Sequence, residues 1–424
     1  MIPVQPLTPE ARRRFAGRRG AIEGRVREAV DGILADFRQN PDGTIRALTK
    51  KFDGVDLPSS EVTTEEIAEA ERRCPQNVAM AIRAMYESVV RYHKQDVPKG
   101  FEFQPIKGVS LGKTVVPFDR AGLYVPGGLA VYPSSVVMAA APARVAGVKE
   151  LVLCSPPGKD GRIPDAVLVA ALVCGVARVF KIGGAQAVFA LAYGTPTVPA
   201  CEVIAGPGNA YVTEAKRRVQ ETVAIDFLAG PTELLVVSDG TTSARFIAAE
   251  LIGQAEHSPD TCCVLVTTRR EQAEEVAREL ESQVATAERA EIIRRAMASG
   301  GGLLVAADLE EALAFANEFA AEHLTLSTRH PVEALKKVRA AGSVFLGEYS
   351  PVAIGDYGAG PNAILPTYGE AARRGGLSAA SFVRTISYQM LSKEGLQAIA
   401  PHATTLARIE NLPAHLKSIE VRLG

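Results

Sequence analysis

The chain has 424 residues, of which 47% are hydrophobic and 22% are charged, and its 47 basic residues nearly balance its 48 acidic ones. This balance excludes a general nucleic-acid binder, because there is no basic excess to neutralise phosphates. The longest apolar run, Ala166–Ala177, falls well short of the roughly 20 residues that a membrane span needs, and the N-terminus lacks the apolar core of a signal peptide. We therefore expect a soluble, cytoplasmic, multi-domain protein with no nucleic-acid or membrane partner.

The first part of the chain, up to roughly residue 100, is predicted to be helical. Thr63-x-x-Glu66 matches the capping box that begins many helices. The segment Gln76–Lys94 then places apolar side chains at helical spacing.

From about Val115, short β-branched runs alternate with amphipathic segments. The predicted strands are Leu151–Cys154, Val179–Ile182, Val203–Ala205, Leu234–Ser238, Cys263–Thr267 and Leu303–Ala306. The predicted helices between them are Asp165–Cys174, Ala185–Ala192, Ala210–Gln220, Ser243–His257, Arg270–Ser299 and Leu309–His323. Such alternation indicates parallel sheets covered by helices, and there are too many strands for one mononucleotide-binding unit. The tail, Ser392–Gly424, has helical spacing interrupted by two prolines and is predicted to be a separate appendage.

The six cysteines do not form a disulfide framework in a chain of this length. Cys154, Cys262 and Cys263 lie in apolar strand-like runs, where a buried thiol packs as a small hydrophobe. We expect all six to be structural.

Glycine-rich turns follow or precede the predicted strands in the middle of the chain. They are Gly127-Gly128, Gly183-Gly184, Gly206-Pro207-Gly208-Asn209 and Gly230-Pro231-Thr232-Glu233. None is a G-x-G-x-x-G fingerprint, and any single one is equally well explained as a tight turn. Four together favour a crevice for a nucleotide or a phosphate.

Two helix ends carry the rare histidines beside other polar groups. Gln254 and His257 are three residues apart on one predicted helix face, where they could offer a carbonyl oxygen and an imidazole nitrogen to a divalent metal. Alone, the pair is more often a helix cap or surface feature. Glu322 and His323 are neighbouring acid–base candidates at the predicted end of the helix from Leu309; the alternative is an imidazolium stabilised by the helix dipole.

Two further segments complete a set of polar side chains. Asp356 lies in the predicted Gly-rich loop Gly355–Asn362, where an aspartate alone usually forms a turn. Glu410 and His415 lie in the tail, which would have to reach a site, on this or another subunit, for them to act there. One Gln, two His and one Asp are a plausible nitrogen and oxygen set for zinc.

Several stretches, taken together and in this order, resemble histidinol dehydrogenases from about residue 20 to the C-terminus. They are GLYVPGG (122–128), YPSSVVM (132–138), IGGAQA (182–187), GPGNAYVTEAKR (206–217), IDFLAGPTE (225–233), GQAEHSPD (253–260), AEHL (321–324), GDYGAGPN (355–362) and LPTYG (365–369).

The resemblance implies a zinc- and NAD-dependent enzyme that oxidises L-histidinol through the aldehyde to L-histidine, the last steps of histidine biosynthesis. It implies a homodimer with shared active sites, in which the last zinc ligand comes from the partner subunit. The implied catalytic pair is Glu322 and His323. The implied zinc ligands are Gln254, His257, Asp356 and His415; the implied NAD contacts are Tyr124, Gln186 and Asn209; the implied substrate contacts are Thr232, Gln254, His257, His323, Asp356, Glu410 and His415.

The implied fold is α/β, with two incomplete Rossmann-like parallel-sheet domains, a helical N-terminal segment and a small C-terminal helical appendage. We expect an N-terminal segment at 1–20 and a first domain, for catalysis and metal binding, at 21–120 plus 235–375. We expect a second, NAD-binding domain at 121–234. The appendage at 376–424 would reach the partner subunit.

The chain departs from the family pattern at two positions. Thr232 stands where the family usually has Ser, which keeps the hydroxyl. Ala363 follows Asn362 where the family commonly has His, so an imidazole near the pocket is missing. A second interpretation is therefore a relative that oxidises another metal-chelating alcohol, such as a hydroxy-sulfonate, with the same zinc and NAD core. A third, a non-enzymatic binding protein, is disfavoured because Glu322 and His323 are both present.

Overall fold

The structure is a computed structural model, and it describes residues 2–17, 24–127 and 131–424. Gly128, the last residue of one predicted turn, lies outside the described residues. The strands are β1 (Val4–Pro6), β2 (Phe101–Ile106), β3 (Val109–Pro117), β4 (Arg120–Tyr124), β5 (Glu150–Ser155), β6 (Arg178–Lys181), β7 (Val203–Ala205), β8 (Ala224–Ile225), β9 (Glu233–Ser238), β10 (Cys262–Thr267), β11 (Gly302–Val305), β12 (His323–Ser327), β13 (Ser343–Leu346) and β14 (Val383–Leu391).

The helices are α1 (Pro9–Ala16), α2 (Gly24–Gln39), α3 (Pro41–Phe52), α4 (Thr64–Arg73), α5 (Gln76–His93), α6 (Pro133–Ala146), α7 (Asp165–Val173), α8 (Gly184–Tyr193), α9 (Ala210–Val219), α10 (Ala244–Ala255), α11 (Arg270–Val284), α12 (Ala290–Gly300), α13 (Leu309–Phe319), α14 (Pro331–Leu335), α15 (Val352–Tyr357), α16 (Lys393–Ile409) and α17 (Pro413–Glu420). No helix in the described ranges is long and apolar enough to cross a membrane.

A six-stranded parallel sheet has the strand order β1-β11-β10-β9-β12-β13. Its central strands are continuous apolar runs, as expected for strands covered on both faces. Leu235 and Val237 face one buried cluster, and Leu234 and Val236 face another, because successive side chains alternate across the sheet. In register, His323 pairs with Leu234, so the beginnings of β9 and β12 lie side by side.

A five-stranded parallel sheet has the order β6-β5-β4-β7-β8. Helices α6 and α7 cover one face together with α4 and α5, and α8 and α9 cover the other together with α2 and α3. The division of the chain predicted from sequence grouped residues 21–120 with the six-stranded sheet. Helices α2–α5 pack on the five-stranded sheet, so a division into domains by packing would place them with that sheet. The domain boundaries stay a prediction.

A third sheet is antiparallel, in the order β14-β3-β2, and the tail helices α16 and α17 follow it. We call these three strands the arm. The backbone N–H of Ser392 donates to the carbonyl of Gly108 at 2.8 Å, which fixes the start of α16 on the β2–β3 turn. The sequence analysis did not predict this sheet.

The predicted α/β class with two parallel sheets and a helical tail is confirmed. The capping box is also confirmed, because Thr63 Oγ1 accepts from the N–H of Glu66 while the Glu66 carboxylate accepts from the N–H of Thr63. All six cysteines are free and buried, as expected.

Three predicted helices differ from the structure. Arg270–Ser299 is two helices, α11 and α12, with a break after Val284. The helix predicted to reach His257 ends at Ala255. The helix predicted to end at His323 instead ends at Phe319, where Ala320 takes a left-handed φ of 48°. A non-glycine residue rarely adopts that conformation, so the sequence carried no stop signal there.

Candidate active site

A cavity of about 270 Å³ lies where the carboxyl ends of β4 and β7 face the amino ends of β9 and β12. Loops after the five-stranded sheet contribute Pro126, Pro207 and Gly208 to its lining. From the six-stranded side it is lined by Thr232, Gln254, His257, Glu322, His323 and Asp356. Ligands of open α/β sheets usually bind at carboxyl ends of strands. Here the side chains predicted to be catalytic lie at the amino edge of one sheet and meet the carboxyl edge of the other.

Glu322 lies one residue before β12 and is buried. Its Oε2 accepts a hydrogen bond from Thr232 Oγ1 at 2.5 Å and another from the backbone N–H of Glu233 at 2.8 Å. Both bonds come from the beginning of the neighbouring strand β9. Two donors on one oxygen hold this carboxylate in a fixed position at the start of β12.

His323 is the first residue of β12, and its ring is buried. Nδ1 lies 3.1 Å from the carbonyl oxygen of Glu233 and 3.4 Å from Glu322 Oε2. Because Nδ1 therefore carries a proton, the lone pair of the neutral ring is on Nε2. Nε2 is buried and has no hydrogen-bond partner within the described residues. A buried orphan nitrogen on a cavity wall is the feature expected of a base that acts on a bound molecule.

The pKa of His323 is shifted by two opposing effects. Burial acts to lower the pKa, but the carboxylate of Glu322 outweighs it and raises the pKa of His323 to about 9. Glu322 and His323 thus lie in contact, as an acid–base pair would. They stand at the start of strand β12, whereas the sequence predicted the end of a helix.

Gln254 and Thr232 continue the hydrogen-bond chain away from Glu322. Gln254, near the end of α10, is buried, and its Nε2 donates to Thr232 Oγ1 at 2.5 Å. Thr232 in turn donates its single hydroxyl proton to Glu322. The amide nitrogen of Gln254 is thus used within the protein, and its carbonyl oxygen remains as the atom that can bind a ligand.

His257 and Asp356 line the same cavity. His257 lies two residues beyond the end of α10, where its backbone N–H donates to the carbonyl of Gln254 at 3.3 Å. Asp356 lies on the short helix α15, so its predicted position in an irregular loop is wrong. Burial raises the pKa of Asp356, and the nearby His323 and His257 oppose the shift.

The donor set fits a divalent metal in its chemistry. An amide oxygen, an imidazole and a carboxylate converge on one cavity, which leaves a ligand position to be supplied from elsewhere. Among the described residues, no group of three or more His, Cys, Asp or Glu side chains could hold a metal by itself. Gln254, whose amide oxygen is one of the three donors, is not one of those residue types.

Glu410 and His415 are exposed in the tail and do not line the cavity of their own chain. Glu410 caps α16, and His415 lies in the first turn of α17. Within one chain the structure therefore brings together five of the predicted substrate contacts but not these two.

Tyr124, Gln186 and Asn209 lie at the carboxyl edge of the five-stranded sheet, at the end of β4, the start of α8 and the start of α9. Burial raises the pKa of Tyr124 to about 12, and its hydroxyl accepts from the N–H of Gly184 at 3.2 Å. Asn209 Oδ1 caps α9. The three residues occupy the edge where dinucleotides bind in such sheets.

Sequence analysis missed a buried ion pair that holds the Gly206–Asn209 loop. Lys216 Nζ lies 2.6 Å from Asp226 Oδ1 and also donates to the carbonyl of Gly206. Asp226 Oδ2 accepts from the N–H of Gly206 at 2.8 Å. Gly206 has a φ of 130°, and a Cβ there would lie 2.0 Å from the carbonyl oxygen of Tyr124. Both charged residues stand in the quoted family stretches, but nothing in a helix or a turn alone shows that they meet.

The chain is similar in sequence and in structure to histidinol dehydrogenases. The family described as histidinol dehydrogenase matches residues 17–423. A histidinol dehydrogenase of Methanocaldococcus jannaschii is 43% identical over 421 residues, covering 99% of this chain and 98% of that protein. One from Methanothermobacter thermautotrophicus is 44% identical over 394 residues, covering 93% of this chain and 92% of that protein. The crystal structure of histidinol dehydrogenase from Elizabethkingia anophelis has a TM-score of 0.95 and 34% identity, covering 99% of this chain and 97% of that one.

Proposed function

The chain belongs to the histidinol dehydrogenase family, and from that membership we propose that it oxidises L-histidinol through L-histidinaldehyde to L-histidine with zinc and NAD. The observation that carries the proposal is the orphan Nε2 of buried His323, on the wall of the cavity that Gln254, His257 and Asp356 also line. A base and a set of metal donors in one cavity are the parts that a metal-assisted alcohol oxidation uses.

Gln254, His257 and Asp356 would hold zinc together with the partner subunit's His415. When bound, zinc supplies a positive charge that holds the nitrogen atoms of the substrate and disfavours a second positive charge on His323. NAD⁺ supplies the acceptor for the hydride in each of the two oxidations. Tyr124, Gln186 and Asn209 would position it at the edge of the five-stranded sheet.

In the first oxidation, Nε2 of neutral His323 would accept the hydroxyl proton as the hydride leaves the same carbon. The Glu322 carboxylate beside Nδ1 stabilises the imidazolium that forms. The hydrogen bond from Nδ1 to the carbonyl of Glu233 keeps the ring in the orientation that presents Nε2.

In the second oxidation, with a second NAD⁺ in place of the NADH formed first, Glu322 would accept a proton from water as the water oxygen adds to the aldehyde carbon. The two hydrogen bonds from Thr232 and Glu233 are both on Oε2, so this step falls to the other oxygen. The imidazolium of His323 would return its proton to the aldehyde oxygen, which gives the diol and a neutral ring. Neutral His323 would then accept one hydroxyl proton of the diol as the second hydride leaves, and the carboxylic acid so formed loses its proton to solvent to give the carboxylate.

We propose a homodimer in which each tail completes the other subunit's site with Glu410 and His415. The chain exposes 20697 Å², against roughly 15,700 Å² for a compact monomer of this mass. Both faces of the arm contribute to this excess. Phe101 and Phe103 are 54% and 52% exposed on one face, and Ile386 and Met390 are 55% and 68% exposed on the other. Four large apolar side chains, each more than half exposed on one small sheet, favour burial against a second subunit.

The test is turnover by the zinc-loaded protein with L-histidinol and NAD⁺, followed at the NADH absorbance band. The expected result is two NADH per histidinol, with histidine as the product. One NADH per alcohol with free aldehyde would contradict the four-electron reaction. For such a biosynthetic enzyme the cytoplasm is the location we propose.

Oxidation of a different metal-chelating alcohol is the second candidate, and one observation favours it. Ala363 lines this cavity and also an adjoining one of about 340 Å³, and its methyl group fills little of either. Turnover of a hydroxy-sulfonate but not of histidinol would support this alternative.

A further inference from the structure

The loop that follows α15 forms one wall of the substrate cavity. Ala363 and Ile364 line the cavity, as do Glu322 and His323. The loop rests on helix α5, because a Cβ at Gly360 would lie 3.2 Å from the Ser88 carbonyl oxygen and from Tyr92 Cβ. Gly360 has a φ of 116°, which permits this close approach. The position of the wall therefore depends on how the loop is held to α5.

Asn362, the residue before this wall, is buried and connects three elements. Its Nδ2 donates to the carbonyl of Met138 on α6 at 2.7 Å, and the same nitrogen lies 3.3 Å from His93 Nε2 at the end of α5. Its Oδ1 accepts from the backbone N–H of Ile364 at 2.9 Å. Both amide hydrogens and the amide oxygen are thereby used, and the last bond fixes the turn that presents Ala363 to the cavity.

His93 is only 1% exposed, and its other ring nitrogen, Nδ1, lies 2.9 Å from Asp96 Oδ2. A proton on Nδ1 shared with Asp96 leaves the lone pair on Nε2, which is the acceptor that Asn362 needs. The three side chains form one directed chain of hydrogen bonds in a buried setting. None of the three lines the 270 Å³ cavity, although Asn362 lines the adjoining cavity of about 340 Å³ beside Ala363.

We infer that Asp96, His93 and Asn362 are positioning residues that hold the Ala363–Ile364 wall and so determine the affinity for the substrate more than the rate of the chemical step. The expected effect on the KM rests on the proposed function. The expected protection of the Ile364 amide, which donates to Asn362, does not depend on which alcohol is oxidised.

The test compares His93→Phe with wild type in the full-length, zinc-loaded protein. Phe keeps the ring shape but leaves the Asn362 N–H without its acceptor, and an unmade buried hydrogen bond is expensive. We expect the KM for histidinol to rise roughly tenfold, with kcat within about twofold and the KM for NAD⁺ unchanged. Amide hydrogen exchange at Ile364 should accelerate by about tenfold.

Two variants make the result specific. His93→Gln restores an acceptor near the Nε2 position and should recover most of the KM. Met85→Ala, in the buried core face of the same helix, should lower the unfolding midpoint while leaving the KM and the Ile364 amide unchanged. If His93→Phe does not fold, Asn362→Ser removes the same donors without added bulk.

Unchanged exchange at Ile364 in a folded His93→Phe protein would overturn the inference. So would equal effects of Met85→Ala and His93→Phe on the KM, since both would then act through stability alone. A wild type that does not oxidise histidinol would contradict the proposed function only, and Ile364 exchange would still decide the inference.

Discussion

The hydroxyl of Thr232 lies 2.5 Å from the carboxylate of Glu322 and at the same time accepts a hydrogen bond from Gln254 Nε2 at 2.5 Å. The hydroxyl has one proton, which it donates to Glu322. The hydrogen bonds therefore all run in one direction, from Gln254 through Thr232 to Glu322. A side chain predicted to contact the substrate thus also ties the proposed catalytic carboxylate to a proposed zinc ligand.

Thr232→Val should weaken zinc binding, because Val keeps the shape but removes the acceptor that orients the Gln254 amide. Loss of such an outer contact typically reduces metal affinity by about 10–100-fold. Zinc affinity, measured by competition with a chromogenic chelator, checks this. Thr232→Ser is the matched control and should bind zinc as wild type does; equal losses in both variants would show that the methyl group, and not the hydroxyl, matters.

Removal of zinc should abolish turnover and leave the fold intact, since the proposed ligands lie at the edges of two sheets with complete cores. Dialysis against a strong chelator, followed by activity and circular dichroism, checks this, and zinc should restore activity. Full turnover by metal-free protein would contradict the zinc site.

A mixture of His257→Ala and His415→Ala proteins should recover activity that neither has alone. In a heterodimer, one of the two sites holds both native histidines. Random subunit exchange in a two-fold dimer then restores about a quarter of the sites. Recovery is measured after mild dissociation and reassociation, with exchange verified by native mass spectrometry. No recovery after verified exchange would place both histidines in the site of one subunit.

Most of the regular structure was predictable, because strands such as Val203–Ala205 are short apolar runs between turns. Two of the three sheets are parallel and covered on both faces, which gives such runs. The arm was not predictable: β2 and β14 expose their side chains on both faces and lack the alternation of a half-buried strand. Because these side chains are exposed in this chain, burial imposes no alternation on their sequence.

Local patterns suggested the polar pairs Gln254–His257 and Glu322–His323, but only the resemblance assigned them to one site. Ala320 ends helix α13 in a left-handed conformation without a glycine, so the helical spacing led to the prediction of a helix through His323. The Lys216–Asp226 pair and the Asp96–His93–Asn362 chain join segments far apart in sequence, and no period in the sequence brings them together.

Lys216→Met should destabilise the protein strongly, because it leaves the Asp226 carboxylate buried without its cation. The two side chains are 3% and 1% exposed, and breaking such a pair costs about 3–5 kcal/mol. Urea unfolding gives the free energy. Lys107→Met, which breaks the exposed pair with Glu394, is the matched control and should cost less than about 1 kcal/mol. Similar costs for both variants would contradict the buried-pair argument.

Glu322→Gln should slow the oxidation of histidinaldehyde more than that of histidinol, because only the second reaction needs a base for water. Loss of a general base typically costs about 10²–10⁴ in rate, and single-turnover kinetics with each substrate resolves the difference. His323→Ala should slow both reactions. Equal slowing of both steps by Glu322→Gln would mean that Glu322 acts only by stabilising the His323 imidazolium and not as the base for water.

Ala363→His tests whether the one missing family imidazole changes the substrate. Position 363 lines both adjoining cavities, and the Asn362 hydrogen bonds fix its backbone, so a larger side chain there must enter the space near His323 and Asp356. If wild type already oxidises histidinol efficiently, the added ring should raise the KM by crowding the substrate. If wild type prefers another alcohol, the same substitution should raise kcat/KM for histidinol and lower it for that alcohol. The measurement is kcat/KM for histidinol and for a hydroxy-sulfonate in both proteins, with Ala363→Leu as a control that adds bulk without a ring nitrogen. Identical values in all three proteins would mean that residue 363 does not contact the substrate.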